Sequence, residues 1–285
     1  SDERYLQKAY EISDWLLANN NKDYENLCWG YPFDWQSKIF IPKGTPSSVV
    51  SSHVGHGFWD LYSITKNKKY LEACESICKF FLTSLTQSKT DAGICFSYTP
   101  LDDFQVHNAN LFVAEFLIRI GQAVNNKEWI DKGIAAVNFS LAEQKSDGSL
   151  CYWSSNQKHY QQTCSRDHYH SGFEIRMLYK IWKSTGIERI QKAVNAYYSF
   201  YVKNYFADDF APILQPKGEY YVDVHSCSEA MLCNSEVFND FLEAKQLLKE
   251  STNWTLENMQ MPKGWFRYCL LYTSPSPRDR TRSRM

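Results

Sequence analysis

The chain has 285 residues, of which 44% are hydrophobic and 22% charged, and its formal net charge is −1. Those values belong to a globular protein with a sizeable core, and they exclude attraction of nucleic acid or an anionic membrane through bulk charge. No run of eighteen apolar residues occurs, so no membrane span is expected.

In chain order, "ERYLQKAYEISDWLLANN" (3–20) predicts an amphipathic helix. It is followed by a long loop, "CWGYPFDWQSKIFIPKGTPSS" (28–48), in which Trp29, Tyr31, Phe33 and Trp35 alternate with Asp34 and Gln36. Aromatic faces beside hydrogen-bonding groups suit a sugar ring and its hydroxyls. A loop that folds its aromatics under itself as a plug would look the same.

From residue 47 on, a two-helix unit repeats. The stretches at 47–65, 108–124 and 171–185 are apolar or small around most of the helix, the pattern of buried helices. Each is followed by a short polar turn ("KNKK", "NNKE", "TGIE") and an amphipathic helix, at 70–82, 129–141 and 188–202. The phrase "QSKTDAGICFSY" (87–98) returns as "QKSDGSLCYW" (144–153). Its Asp and Gly are placed where an outer helix stops, with the glycine in a left-handed cap, and the apolar residues after it run extended. Weaker copies stand at 216–221 and 262–268. Helical hairpins of about 55–60 residues must stack to cover one another's apolar faces. Two kinds of helix, buried and amphipathic, argue for a closed double ring. The expected fold is all-α, an α/α toroid of helical hairpins of the six-hairpin type, present as roughly four and a half hairpins in a single domain over residues 1–268.

Residues 269–285, "CLLYTSPSPRDRTRSRM", are set apart. Cys269 to Asp279 back-translate into a transposase adapter used in sequencing libraries, so the basic tail is read as an artefact and the chain as a fragment truncated at its C-terminus. The tail holds four Arg and one Asp, and without it the net charge moves from −1 to −4. Eight cysteines remain, with no paired CxxC; Cys74 and Cys78, four apart on one helix, read as small apolar residues, the expected compartment is the cytoplasm, and no metal and no cofactor are expected.

Three buried helices begin with an Asp-then-His phrase: "DDFQVHNAN" (102–110), "RDHYHSG" (166–172) and "VDVHSC" (222–227). Aspartate caps helices, but an N-terminal cap does not ask for histidine. In a toroid the inner helices run parallel, so Asp103, His107, Asp167, His170, Asp223 and His225 are expected around one opening, as carboxylates and proton-transfer groups. Asn108, Asn110 and Glu229, just inside the same helices, join Trp29, Tyr31, Asp34, Trp35 and Gln36 as substrate-binding candidates. His53 and His56 lie further along their helix and are read as core residues.

The stretches "WGYPFDWQS", "GTPSSVVSS", "HNANL" and "HSGFEIRML" resemble a bacterial α/α-toroid family found among genes for surface polysaccharide synthesis. More distantly, the chain is similar to six-hairpin glycosidases, sugar 2-epimerases and polysaccharide lyases. The resemblance covers most of residues 24–268, and it implies another inner helix after "GWFRY". It supplies no reaction, since the fold hosts many. The implied function is a glycan-active hydrolase, lyase or epimerase with a carbohydrate ligand and no nucleic-acid or membrane partner. The alternative is a non-catalytic glycan-binding or assembly module. A third reading, a terpenoid-cyclase-like toroid, rests on "QKSDGSLCYW", but the aspartate-rich acid motif of those enzymes is missing.

Overall fold

The computed structural model describes residues 3–36, 39–157, 164–216 and 221–270. Among them are nine α-helices: α1 (Glu3–Ala18), α2 (Ser48–Thr65), α3 (Lys68–Ser84), α4 (His107–Ala123), α5 (Lys127–Ala142), α6 (His168–Thr185), α7 (Glu188–Asn204), α8 (Val224–Val237) and α9 (Leu242–Met259). Two small antiparallel hairpins accompany them, β1 (Trp35–Gln36) with β2 (Phe40–Ile41) and β3 (Gln87–Thr90) with β4 (Gly93–Phe96). The described chain falls into two compact units. The first comprises residues up to Gln144 with Cys151–Cys164 and Lys180–Gly186; the second comprises Lys145–Leu150, Ser165–Tyr179 and the chain from Ile187 on.

The repeat predicted from periodicity is present as α2–α3, α4–α5, α6–α7 and α8–α9. The turn inside each of the first three hairpins contains a residue in the left-handed region: Lys66 (φ 58°), Asn125 (φ 56°) and Gly186 (φ 67°). In two of them the next residue caps the second helix: Asn67 accepts from Lys69 N and Asn126 from Trp129 N, both at 3.1 Å. In α4 every residue from His107 to Ile118 is buried, as expected of a first helix, whereas α2 is no more buried than its partner α3 and exposes His53, Gly57, Asp60 and Ile64.

The repeated Asp/Gly phrase needs a correction. Helix α3 ends at Ser84 with Leu85 as its cap, and Gly93 opens strand β4 after the turn Asp91–Ala92. Only Gly148, at φ 90°, has the left-handed conformation expected of both glycines. Their shared property is closeness to a helix. A Cβ on Gly93 would meet the Ala135 carbonyl oxygen at 2.1 Å, and one on Gly148 the Ala196 carbonyl oxygen at 2.3 Å. Ala135 and Ala196 are each the ninth residue of their helices, α5 and α7.

The cysteines also differ from expectation. Cys151 and Cys164 form a disulfide, a pairing typical of oxidising compartments rather than of the cytoplasm. Cys74 and Cys78 behave as read, as buried thiols: burial pushes Cys74 up to about 12 and Cys78 well above its ordinary value. Of the segment read as an artefact, Cys269 is buried and Leu270 packs against the cluster of Ala211, Val222, Cys227 and Met259, while residues 271–285 lie outside the described residues.

Candidate functional site

In the second unit, α6 and α8 begin with capping aspartates. Asp167 accepts a hydrogen bond from His170 N at 2.9 Å, and Asp223 one from Ser226 N at 2.7 Å. Both are therefore caps, as the bland reading held. Asp167 does more: its second oxygen lies 2.6 Å from His170 Nδ1. That contact holds a proton on Nδ1 and makes Nε2 the basic nitrogen of the ring. The side chain of His170 is 22% exposed. Tyr169 stands beside it, with ring centres 4.4 Å apart, and reaches His225 on its other side at 5.6 Å. His225 is exposed and borders Tyr268 at 5.9 Å. Two of the three predicted histidines are thus brought together, in an aromatic setting.

Deeper in the same unit the carboxylates are engaged. Glu229 is buried and pairs with Arg176, whose Nη1 lies 3.1 Å from Oε2. Glu174 is buried and accepts from the Tyr197 hydroxyl. Burial holds its carboxyl well above the usual range, against the pull of that hydrogen bond. Sequence reasoning missed Arg176 and Glu174. The signal was a second repeat, "HSGFE" (170–174) and "HSCSE" (225–229), which sets a glutamate one helical turn after each histidine.

In the first unit several expectations are corrected. His107 is buried and turned towards α5, with Nδ1 3.2 Å from Ser140 Oγ and Nε2 3.3 Å from Glu143 Oε2. Its neighbour along the chain, Asp103, is exposed and does not cap α4, whose N-cap is Val106. Asp102 organises that loop instead, accepting from Tyr98 N, Thr99 N and Phe104 N. Asn110 is structural: it accepts from Phe96 N and donates to the Ala136 carbonyl. The cause is common to both. A helix buried all round gives no clue to which face meets its partner, and these positions face α5. Asn108 is buried, and its Oδ1 lacks a hydrogen-bond partner.

The aromatic loop divides. Trp29 is core, with its indole N–H donating to the Leu16 carbonyl, because it precedes the close approach of Gly30 to Thr45. Tyr31, Phe33 and Trp35 instead form an outward stack, with Tyr31 in the middle at 5.4 Å from Phe33 and 5.2 Å from Trp35. Phe33 is 49% and Trp35 40% exposed. Asp34 accepts from Lys43 N at 2.7 Å and holds the loop in shape, and Gln36 is exposed in β1.

His53 and His56 are not core residues. His53 is exposed on α2, and the side chain of His56 is 22% exposed with Nε2 2.9 Å from Glu115 Oε2. Among the described residues no group of three or more His, Cys, Asp or Glu is placed to hold a metal ion, and no helix is long and apolar enough to cross a membrane.

No family model and no curated protein matches the chain. Solved structures do. Cellobiose 2-epimerase from Bacillus thermoamylovorans B4167 superposes with a TM-score of 0.71 at 13% identity, over 94% of this chain and 74% of that one. The GH76 α-mannanase of Bacteroides thetaiotaomicron gives 0.62 at 14% identity, over 86% and 69%. A polysaccharide lyase gives 0.63 at 9% identity, over 94% and 75%. At these identities the likeness establishes the fold alone. The chain has the all-α, α/α-toroid fold of six-hairpin glycosidase-like enzymes.

Proposed function

We propose that the chain is a glycan-active enzyme that works by proton transfer at a sugar, with His170 as the base and His225 as its partner in the second unit. The observation that carries this reading is the Asp167–His170 contact at 2.6 Å. It fixes one tautomer of a partly exposed imidazole beside an aromatic ring, which is what a general base near neutral pH requires. The reading separates the chemistries known for similar folds. Glycoside hydrolysis needs two carboxyl groups facing the substrate. In this unit Asp223 is a buried cap, Glu229 is paired with Arg176, and Glu174 is bonded to Tyr197. Asp167, 19% exposed, is committed to the α6 cap and to His170, which leaves histidine as the proton-transfer group and favours epimerisation, isomerisation or elimination over hydrolysis. A carbohydrate ligand in surface polysaccharide metabolism, as the sequence resemblance implies, fits this chemistry.

A second reading, a glycan-binding module without turnover, is favoured by the outward Tyr31–Phe33–Trp35 stack, since such a platform binds sugar faces whether or not a reaction follows. Incubation of the chain with cellobiose, mannobiose and a uronate oligosaccharide in deuterium oxide, followed by NMR and mass spectrometry, decides between them. Deuterium incorporation or a new product is expected, with a fall of about 10²–10⁴-fold in His170→Ala and an unchanged fold. Binding without exchange would leave the module reading. Full activity in His170→Ala would remove the histidine from the mechanism.

A further inference from the structure

Helix α4 is buried without a break from His107 to Ile118, and Glu115 is the one carboxylate in that run. Its side chain is 3% exposed, yet its two partners reach outward: His56 on α2 is 22% exposed and Arg119, one turn further along α4, is 27% exposed. Oε2 lies 2.9 Å from His56 Nε2, and Oε1 accepts from Arg119 Nε at 2.7 Å and from Nη2. The guanidinium carbon lies 5.9 Å from the Trp59 ring centre. His53, exposed one turn before His56, has its ring nearly parallel to it at 6.5 Å.

A buried ion pair is a weak device for stability, because well-packed apolar residues usually serve as well. This one has a different product. Both oxygens of Glu115 are occupied by donors from its own chain, so the carboxylate works as an anchor and is closed to ligand hydroxyls. What faces outward is a guanidinium held in one plane, imidazole rings and an indole face. Asp60, the only acid of α2, lines the groove towards α1, as does His53. A fixed guanidinium matches a carboxylate, and an indole face matches the C–H face of a sugar ring. The same device recurs independently in the second unit, where buried Glu229 anchors Arg176, itself 18% exposed.

We infer that Arg119, His56 and Trp59 form a binding subsite for an acidic sugar, one that carries a carboxylate; this rests on the glycan-active reading and names its substrate class. Titration of the ¹⁵N-labelled chain with D-glucuronate and with D-glucose, followed at Arg119 Nε and Trp59 Nε1, tests it. Glucuronate should shift both resonances and bind at least about tenfold more tightly than glucose. Arg119→Lys keeps a charge beside Glu115 but loses the planar fork, and should lower glucuronate affinity about tenfold with glucose unaffected. The paired Glu115→Gln and Arg119→Gln variant, which leaves no lone buried charge, should abolish the preference even if Arg119→Lys fails to fold. Equal affinity for the two sugars at this site would overturn the acidic class and leave the glycan reading intact. Absence of any shift with glucuronate would overturn the subsite itself, independently of whether His170 supports exchange.

Discussion

Glu174 illustrates how much one buried residue can decide. Burial raises its carboxyl well above the 4.5 of the unfolded chain. Above that pH the folded state binds more protons than the unfolded one, so this group removes stability as pH rises. Glu174→Gln replaces a neutral acid with a neutral amide of the same shape and should make the protein gain stability relative to the parent between pH 5 and 8. Urea unfolding at both pH values measures it, and an equal difference at the two would show that Glu174 is ionised in the native state. Neither this residue nor Arg176 was singled out at first reading, because α6 carries four charges and periodicity does not say which of them turn inward; the HSGFE and HSCSE repeat was the available signal. The capping aspartates and His170 were legible, since their spacing at a helix start has a local cause. His107 follows Asp103 by four residues where His170 follows Asp167 by three, and it turned away because α4 packs it against α5.

At the scale of elements, the hairpin repeat could be read because buried and amphipathic helices differ in periodicity whatever their surroundings. The strands β3 and β4 could not. The turn between them, Asp91–Ala92, lacks the Asn-Gly signature of a tight hairpin, and the sister phrase at 144–153 makes no strand pair. The feature both copies share is a glycine against the ninth residue of a helix, which only tertiary structure reveals. Glycines should accordingly respond to alanine in opposite directions. In Gly148→Ala, a φ of 90° and a Cβ 2.3 Å from the Ala196 oxygen act together, and a loss of about 2–4 kcal/mol is expected. Gly57, inside α2, has nothing within 4 Å of a built Cβ, so Gly57→Ala should gain about 0.5–1 kcal/mol. Thermal unfolding of the two variants checks both signs. A stable Gly148→Ala would mean that the 145–148 turn adapts and that the close approach is incidental.

For the whole molecule, acid should act in two stages because two kinds of buried group hold unlike protonation states. His168 is fully buried between the Ile213 carbonyl, 3.1 Å from Nδ1, and the Tyr201 hydroxyl, 2.6 Å from Nε2. Burial lowers it from 6.5 to about 4, so it folds as a neutral ring. Between those values the unfolded chain binds the extra proton, and stability falls as pH drops from 6.5 towards 4, by roughly 3 kcal/mol at most. Glu115 and Glu143 follow. Burial works to raise both, yet His56 and Arg119 at the one, and His107, Ser154 and Ser155 at the other, pull them from 4.5 to about 2. Their contribution is complete above 4.5 and is lost as pH falls through 2. Between pH 6.5 and 4.5 Glu174 works the other way, adding stability as pH falls, so the His168 stage is read from the difference between parent and variant, and the parent's midpoint should decline clearly below 4.5. His168→Phe gives up two hydrogen bonds and starts from a lower midpoint, but it should gain on the parent as pH falls from 6.5 to 4.5 and match its slope below. Glu143→Gln should do the reverse, flattening only the lower limb. The slope is the quantity that decides. If His168→Phe follows the same pH dependence as the parent above pH 4.5, the neutral, buried imidazole is not what weakens the fold in weak acid.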